Sequence, residues 1–292
     1  MRYDLSLHMG YAYDVPASNA RHMIRLLPLE IPGRQTLLDG SIDVSPSPED
    51  MTTFTDFFGQ PATSVLLRAP HRRLDIRMKA RVLVEDCPVR PENWTTLRDL
   101  PKELAAIWSL DPASPHHLAA PGARTPYVPE IATFAGDMTQ SEQTVREVAF
   151  ALCDCIHREF AYDGNATTVD TTPQEAFRLR RGVCQDFAHV MIVALRSLGI
   201  PAGYVSGFLR TNPPPGQERL EGADAMHAWV RVWCGDAMGY VELDPTNNIA
   251  AGADHIVVAY GRDYADIAPV IGVLRGHGGQ TIEQAVDVVP HD

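Results

Sequence analysis

Short runs of alternating apolar and polar residues dominate the first 86 positions of the chain. The stretches MRYDLSLHM, RHMIRLLPL, TLLDGSIDV, TSVLLRA and LDIRMKARVLVE are separated by Pro, Gly, Ser and Asp, the residues that punctuate strands. The pattern predicts an amino-terminal antiparallel β domain over residues 1–88. Residues 89–138 hold one helical candidate, TTLRDLPKELAAIWSL. They then crowd Pro112, Pro115, Pro121, Pro126 and Pro129 into a short interval, as a linker or a draped loop does.

Near Thr139 the period changes, and residues 139–292 read as a second domain. TQSEQTVREVAFALCDCIHREFAYD places Val145, Val148, Leu152, Ile156 and Phe160 on one helical face, with Thr139 and Glu142 as its capping box. In TTPQEAF, Thr172 is the cap, Pro173 the first helical residue and Glu175 the partner that closes the box. QDFAHVMIVALRSLGIP lines up Phe187, Val190, Met191, Ala194, Leu195 and Leu198, and Gly199 and Pro201 end it. This is the expected central buried helix, with Cys184 at its amino-terminal edge. AGYVSGFLR, HAWVRVW and YVELDPT follow as strands, the first two separated by the polar, Pro-rich loop TNPPPGQERLEGADAM. HIVVAYGRDYADIAPVIGVLRG and TIEQAVDVV supply further strand-like pieces; the pattern leaves open which domain residues 253–292 complete.

Composition narrows the functional classes. A chain of 292 residues with 45% hydrophobic and 21% charged positions is that of a globular protein. Its net charge of -12 disfavours nucleic acid or an anionic membrane as partner, since both select basic surfaces. Asp4 and His8 interrupt the apolar stretch a signal peptide needs, and no apolar run approaches the ~18 residues of a membrane span, so a cytoplasmic location is expected. The five cysteines, Cys87, Cys153, Cys155, Cys184 and Cys234, are too few and of the wrong parity for a disulfide scaffold. Cys87, Cys153 and Cys155 read as small buried apolar groups, and Cys234, in a predicted turn, as an exposed one.

Three residues carry candidate chemistry. Cys184 stands at a helix start, where unpaired N–H groups and the dipole favour a thiolate and can stabilise an oxyanion. His227 opens HAWVRVW, whose period of two puts His227, Trp229, Arg231 and Trp233 on one face, as in a cleft wall. Ala228, Val230 and Val232 form the other face, small enough to pack on a helix. If Trp233 pairs with Met238 across CGDAMG, antiparallel counting sets His227 opposite Asp244, with Glu242 and Tyr240 on the same face. A slip of one residue turns Asp244 away. Cys184 then attacks an amide carbonyl, His227 carries the proton and Asp244 orients the imidazole.

These residues also carry a resemblance. RGVCQDFAHVMIVALRSLGIPAGYVSGF, MHAWVRVW and YVELDPTNN resemble the three motif blocks of the transglutaminase-like superfamily, in its bacterial branch with an amino-terminal β region. The resemblance implies an α+β fold: a papain-like transglutaminase core in which the Cys helix packs on an antiparallel sheet bearing His and Asp. It also implies the triad Cys184, His227 and Asp244. The expected activity is hydrolysis of a peptide or isopeptide amide through a thioester, with peptide or protein as substrate. Transfer to an amine is the alternative, and a non-catalytic peptide-binding module a further one. No cofactor or metal is expected; a zinc set of Cys184, His189, His227 and Asp244 lacks ligand spacing. Gln185, Asp186, Trp229, Tyr162, Tyr204, Asp263 and Tyr264 are candidates for support around the cleft.

Overall fold

A computed structural model describes residues 1–86, 95–211, 222 and 224–291. Cys87 and most of the loop TNPPPGQERLEGADAM lie outside the described residues. The chain opens with β1 (Arg2–Ile24), β2 (Gln35–Ser45), β3 (Asp50–Thr55), β4 (Pro61–Leu67) and β5 (His71–Val84). Two runs expected as separate strands are continuous in β1. Leu5, Leu7, Met9, Tyr11 and Tyr13 keep facing inward, and Pro16 falls where the register with β5 shifts, so its missing N–H costs no ladder bond. β3 carried no periodic signal because all six of its residues are exposed. It is held by pairing with β4.

The interval expected as a linker contains α1 (Leu100–Ala106) and α2 (Pro129–Asp137). α1 is shorter than its sequence candidate, starting where Pro101 occupies the first turn. In α2, Pro129 again sits in the first turn, and Ile131 and Ala135 are buried. The cap of α3 (Val145–Glu159) lies five residues later than Thr139: Thr144 and Glu147 form the capping box, while the Thr139 hydroxyl donates to the Gly136 carbonyl. After β6 (Ala161–Tyr162), α4 (Pro173–Leu179) is capped by Thr172 and Glu175 as expected. β7 (Arg181–Gly182) pairs in parallel with β6 and leads into α5 (Cys184–Ser197), buried from Asp186 to Leu195.

The second sheet is antiparallel and five-stranded, in the order β11-β10-β9-β8-β12. Its members are β8 (Ala202–Leu209), β9 (Met226–Trp233), β10 (Tyr240–Asp244), β11 (Ile249–Ala250) and β12 (His255–Gly261). α5 packs on β8 and β9 with Ala188, Met191 and Leu195 in one apolar cluster with Ala228, Val230 and Val232, as the small face of β9 predicted. α6 (Tyr264–Ile267), β13 (Val270–Arg275) and β14 (Gln280–His291) end the chain. β12 completes the second sheet, whereas β13 and β14 return to pair with the two halves of β1. One contiguous apolar cluster runs from Leu5 and Ile76 through Ile131 and Leu152 to Val230 and Ile256. Among the described residues no helix is long and apolar enough to cross a membrane.

Candidate active site

Cys184 is the first residue of α5, and the turn before it is tied down. The Asp186 carboxylate accepts the Val183 N–H at 2.8 Å and the Thr167 hydroxyl at 2.7 Å. Burial pushes the Asp186 carboxyl up from its ordinary value, and these two donors pull against that. A Cβ on Gly182 would strike the same carboxylate, so glycine is required there. The N–H groups of Asp186 and Phe187 bond back to the Val183 carbonyl at 2.9 and 3.2 Å. Those of Cys184 and Gln185 belong to the first turn, where N–H groups have no intrahelical acceptor. Cys184 is half-buried; Tyr162, at 64% exposure, and buried Tyr204 both interact with it electrostatically. The Gln185 amide is turned away to the Val169 carbonyl at 3.1 Å.

His227 and Asp244 meet, though not by the pairing expected. Trp233 pairs with Tyr240 rather than Met238, and the ladder reaches Leu243 opposite Val230. Gly235 and Gly239, at φ 102° and 66°, allow the longer loop, closed by the Cys234 N–H on the Gly239 carbonyl at 2.8 Å. The displacement is two residues, so every side chain keeps its face and Asp244 becomes a diagonal neighbour of His227. Closing the loop also buries Cys234, at 1% exposure, contrary to the exposed turn expected.

His227 Nε2 lies 2.8 Å from Asp244 Oδ2, leaving Nδ1 for Cys184. Burial works against a charged imidazole, but the hydrogen bond to Asp244 and the interaction with Cys184 hold its pKa well above the ordinary value. Burial would likewise raise Asp244; its donors, His227 first and His255 next, hold it far below the carboxylate range instead. Asp244 Oδ1 accepts from the Thr246 N–H at 2.9 Å, and Oδ2 also accepts Asn247 Nδ2 at 2.7 Å and His255 Nε2 at 3.3 Å. His255 and Asn247 are not among the residues that the sequence pattern singles out. A visible signal existed for His255, which opens an otherwise apolar strand as His227 does.

Behind the imidazole, Trp229 stacks on His227 with centroids 6.1 Å apart and planes 27° apart. Its indole N–H donates to Glu242 at 2.6 Å; Glu242 also takes the Tyr260 hydroxyl at 2.8 Å and both Arg34 nitrogens. The Arg231 guanidinium lies between the rings of Tyr240 and Tyr260, 3.7 and 4.3 Å from their centroids. This face of β9 is therefore not a cleft wall along its length. Leu29 and Arg34 cover it, Trp233 joins the main core, and His227 alone reaches the thiol.

His227, Asp244 and His255 place their ligand-type atoms within 4.8 Å of one another. The set does not suit a metal. The Gly252 N–H lies 3.3 Å from His255 Nδ1, which must accept it; the proton then sits on Nε2, where a metal would need a lone pair. His189 is not part of the site: its Nε2 accepts from the Tyr264 N–H at 3.3 Å, and burial pushes its pKa down to about 4. Tyr264 packs on Tyr204 with centroids 6.2 Å apart. Asp263 is buried, capping α6 and accepting from the Arg124 N–H at 2.7 Å.

Fold and site together define an α+β protein that presents a helix-start cysteine to a sheet-borne His–Asp pair. The chain belongs to the transglutaminase-like superfamily: that family's profile matches residues 132–245, and the bacterial transglutaminase-like N-terminal region matches residues 3–83. It is 34% identical over 274 residues to the uncharacterized protein Rv2569c of Mycobacterium tuberculosis, covering 89% of this chain and 83% of that one. A protein-glutamine gamma-glutamyltransferase of Pseudomonas aeruginosa is 32% identical over 127 residues, 42% of this chain and 19% of that one. A Cytophaga hutchinsonii structure described as a candidate cysteine protease shares the fold, with TM-score 0.74 and 20% identity over 100% of this chain and 92% of that one.

Proposed function

We propose that the chain is a cysteine hydrolase that cleaves a peptide or isopeptide amide through a thioester. The observation that carries this reading is the bridging position of His227, whose Nε2 is engaged by Asp244 at 2.8 Å while the same ring also hydrogen-bonds Cys184. Cys184 Sγ attacks the carbonyl carbon, and the N–H groups of Cys184 and Gln185 receive the oxyanion. The C–N bond breaks as His227 delivers its proton to the departing amine. Water then attacks the thioester, gives its proton to His227, and releases the acid with the thiolate.

Hydrolysis is favoured because Cys184 is only half-buried and lies near exposed Tyr162, an opening through which water can reach a thioester. A second reading, acyl transfer to an amine, is supported by the likeness to the Pseudomonas aeruginosa gamma-glutamyltransferase over 127 residues. A competition assay separates them. With a peptide amide and a modest concentration of primary amine, the free acid is expected to dominate; a dominant transamidated adduct would reject the hydrolase in favour of the transferase.

A further inference from the structure

Asp244 accepts from two histidines, and the proposed chemistry uses only one. His255 opens β12 and is 1% exposed. Its Nε2 approaches Asp244 Oδ2 at 3.3 Å, the oxygen that His227 Nε2 reaches at 2.8 Å. The Gly252 N–H, 3.3 Å from His255 Nδ1, fixes the tautomer that directs the Nε2 proton at the carboxylate. Trp229 packs across the same ring with centroids 5.1 Å apart and planes at 74°, which limits its tilt.

We propose that His255 is a positioning residue that holds Asp244 Oδ2 in line with His227, extending the constellation to Cys184, His227, Asp244 and His255. The inference rests on the reading of Cys184 as nucleophile. Thr246 and Asn247 hold the carboxylate from its own turn, and His255 holds it from the far strand of the sheet. Without that far contact Oδ2 loses one of the donors that fix its direction, and the imidazolium that stabilises a thiolate is held less firmly. Among the described residues, the titratable groups that interact with this set include Cys153 from α3, near Asp244, and Tyr162 and Tyr204 near Cys184.

The test is the pH profile of Cys184 alkylation by iodoacetamide, read by mass spectrometry, with thermal melts run alongside. His255→Leu is expected to slow labelling near neutral pH by about tenfold, the scale of effect that outer hydrogen-bond partners have, and to move the profile toward alkaline pH. His255→Gln keeps an N–H directed at the carboxylate and is expected to restore most of the rate. A leucine variant that melts lower but keeps the wild-type profile overturns the proposal and leaves His255 a packing residue. Wild type that is not labelled at Cys184 overturns the nucleophile reading instead. ¹⁵N spectra of the wild-type rings give a check that needs no variant. His255 must carry its proton on Nε2 with Nδ1 bare, and either the reverse tautomer or loss of that proton on adding Zn²⁺ overturns the assignment.

Discussion

At the residue scale, the 2.8 Å bond between His227 and Asp244 dictates how each titrates. The raised His227 pKa contributes stability that is complete below its ordinary value of 6.5 and is lost as pH rises through the folded-state value. The depressed Asp244 pKa contributes stability present above 3.8 and lost as pH falls through its folded-state value. Asp244→Asn removes the charge that keeps the ring protonated. Turnover is expected to drop by about 10⁴, as when such a carboxylate becomes an amide elsewhere. The pH profile for Cys184 alkylation should move toward alkaline pH, because the imidazolium that stabilises the thiolate is weakened; an unmoved profile would show that Asp244 does not control His227. Cys184, His227 and Asp244 stood out in the sequence because each sits at an element boundary next to a periodic apolar run. His255 does too, but its contact with Asp244 depends on β12 crossing to the far side of the sheet, and periodicity says nothing about strand order.

At the element scale, the β9–β10 hairpin explains why a misjudged register still found the right pair. A turn of CGDAMG can close at several lengths, whereas the alternation of Val230, Val232, Val241 and Leu243 permits only even displacements. The face was legible and the partner was not. α5 was legible in full because its apolar stripe and its terminators agree. α2 was hidden by the prolines around it, which punctuate loops and first helical turns alike. Gly207 shows what a strand glycine signified here. It pairs with His227, and a Cβ would collide with the Trp229 ring and the Ile256 carbonyl. Gly207→Ala is expected to cost about 1–3 kcal/mol by overpacking. Denaturant melts should show that loss together with slower Cys184 alkylation, because the indole that stacks on His227 is displaced. A variant as stable and as reactive as wild type would remove Trp229 from the account.

At the scale of the whole molecule, the amino-terminal β region and the site-bearing sheet share structure. β14 lies along β1, Gln35 bonds the backbone of Val257 from both ends of its amide, and Arg34 reaches Glu242 behind Trp229. Burial alone would raise the Glu242 carboxyl; Arg34 and the Trp229 indole hold it down. None of this was legible, because a charged residue between two strand patterns carries no sign of a partner about 200 residues away. Arg34→Met leaves a buried carboxylate without its hydrogen-bonded cation and is expected to cost about 3–5 kcal/mol. Near- and far-ultraviolet signals should still melt together, since the apolar core is continuous. Two separated transitions would mean that the amino-terminal region folds independently of the site.

The central claim is that Cys184 forms an acyl-enzyme. Intact-protein mass spectrometry after quenching with an activated peptide acyl donor tests it most directly. Wild type is expected to gain one acyl mass, mapped by digestion to the peptide containing Cys184, decaying in water and absent from Cys184→Ala. Equal labelling of the alanine variant, or an acyl group mapped to another residue, would contradict it.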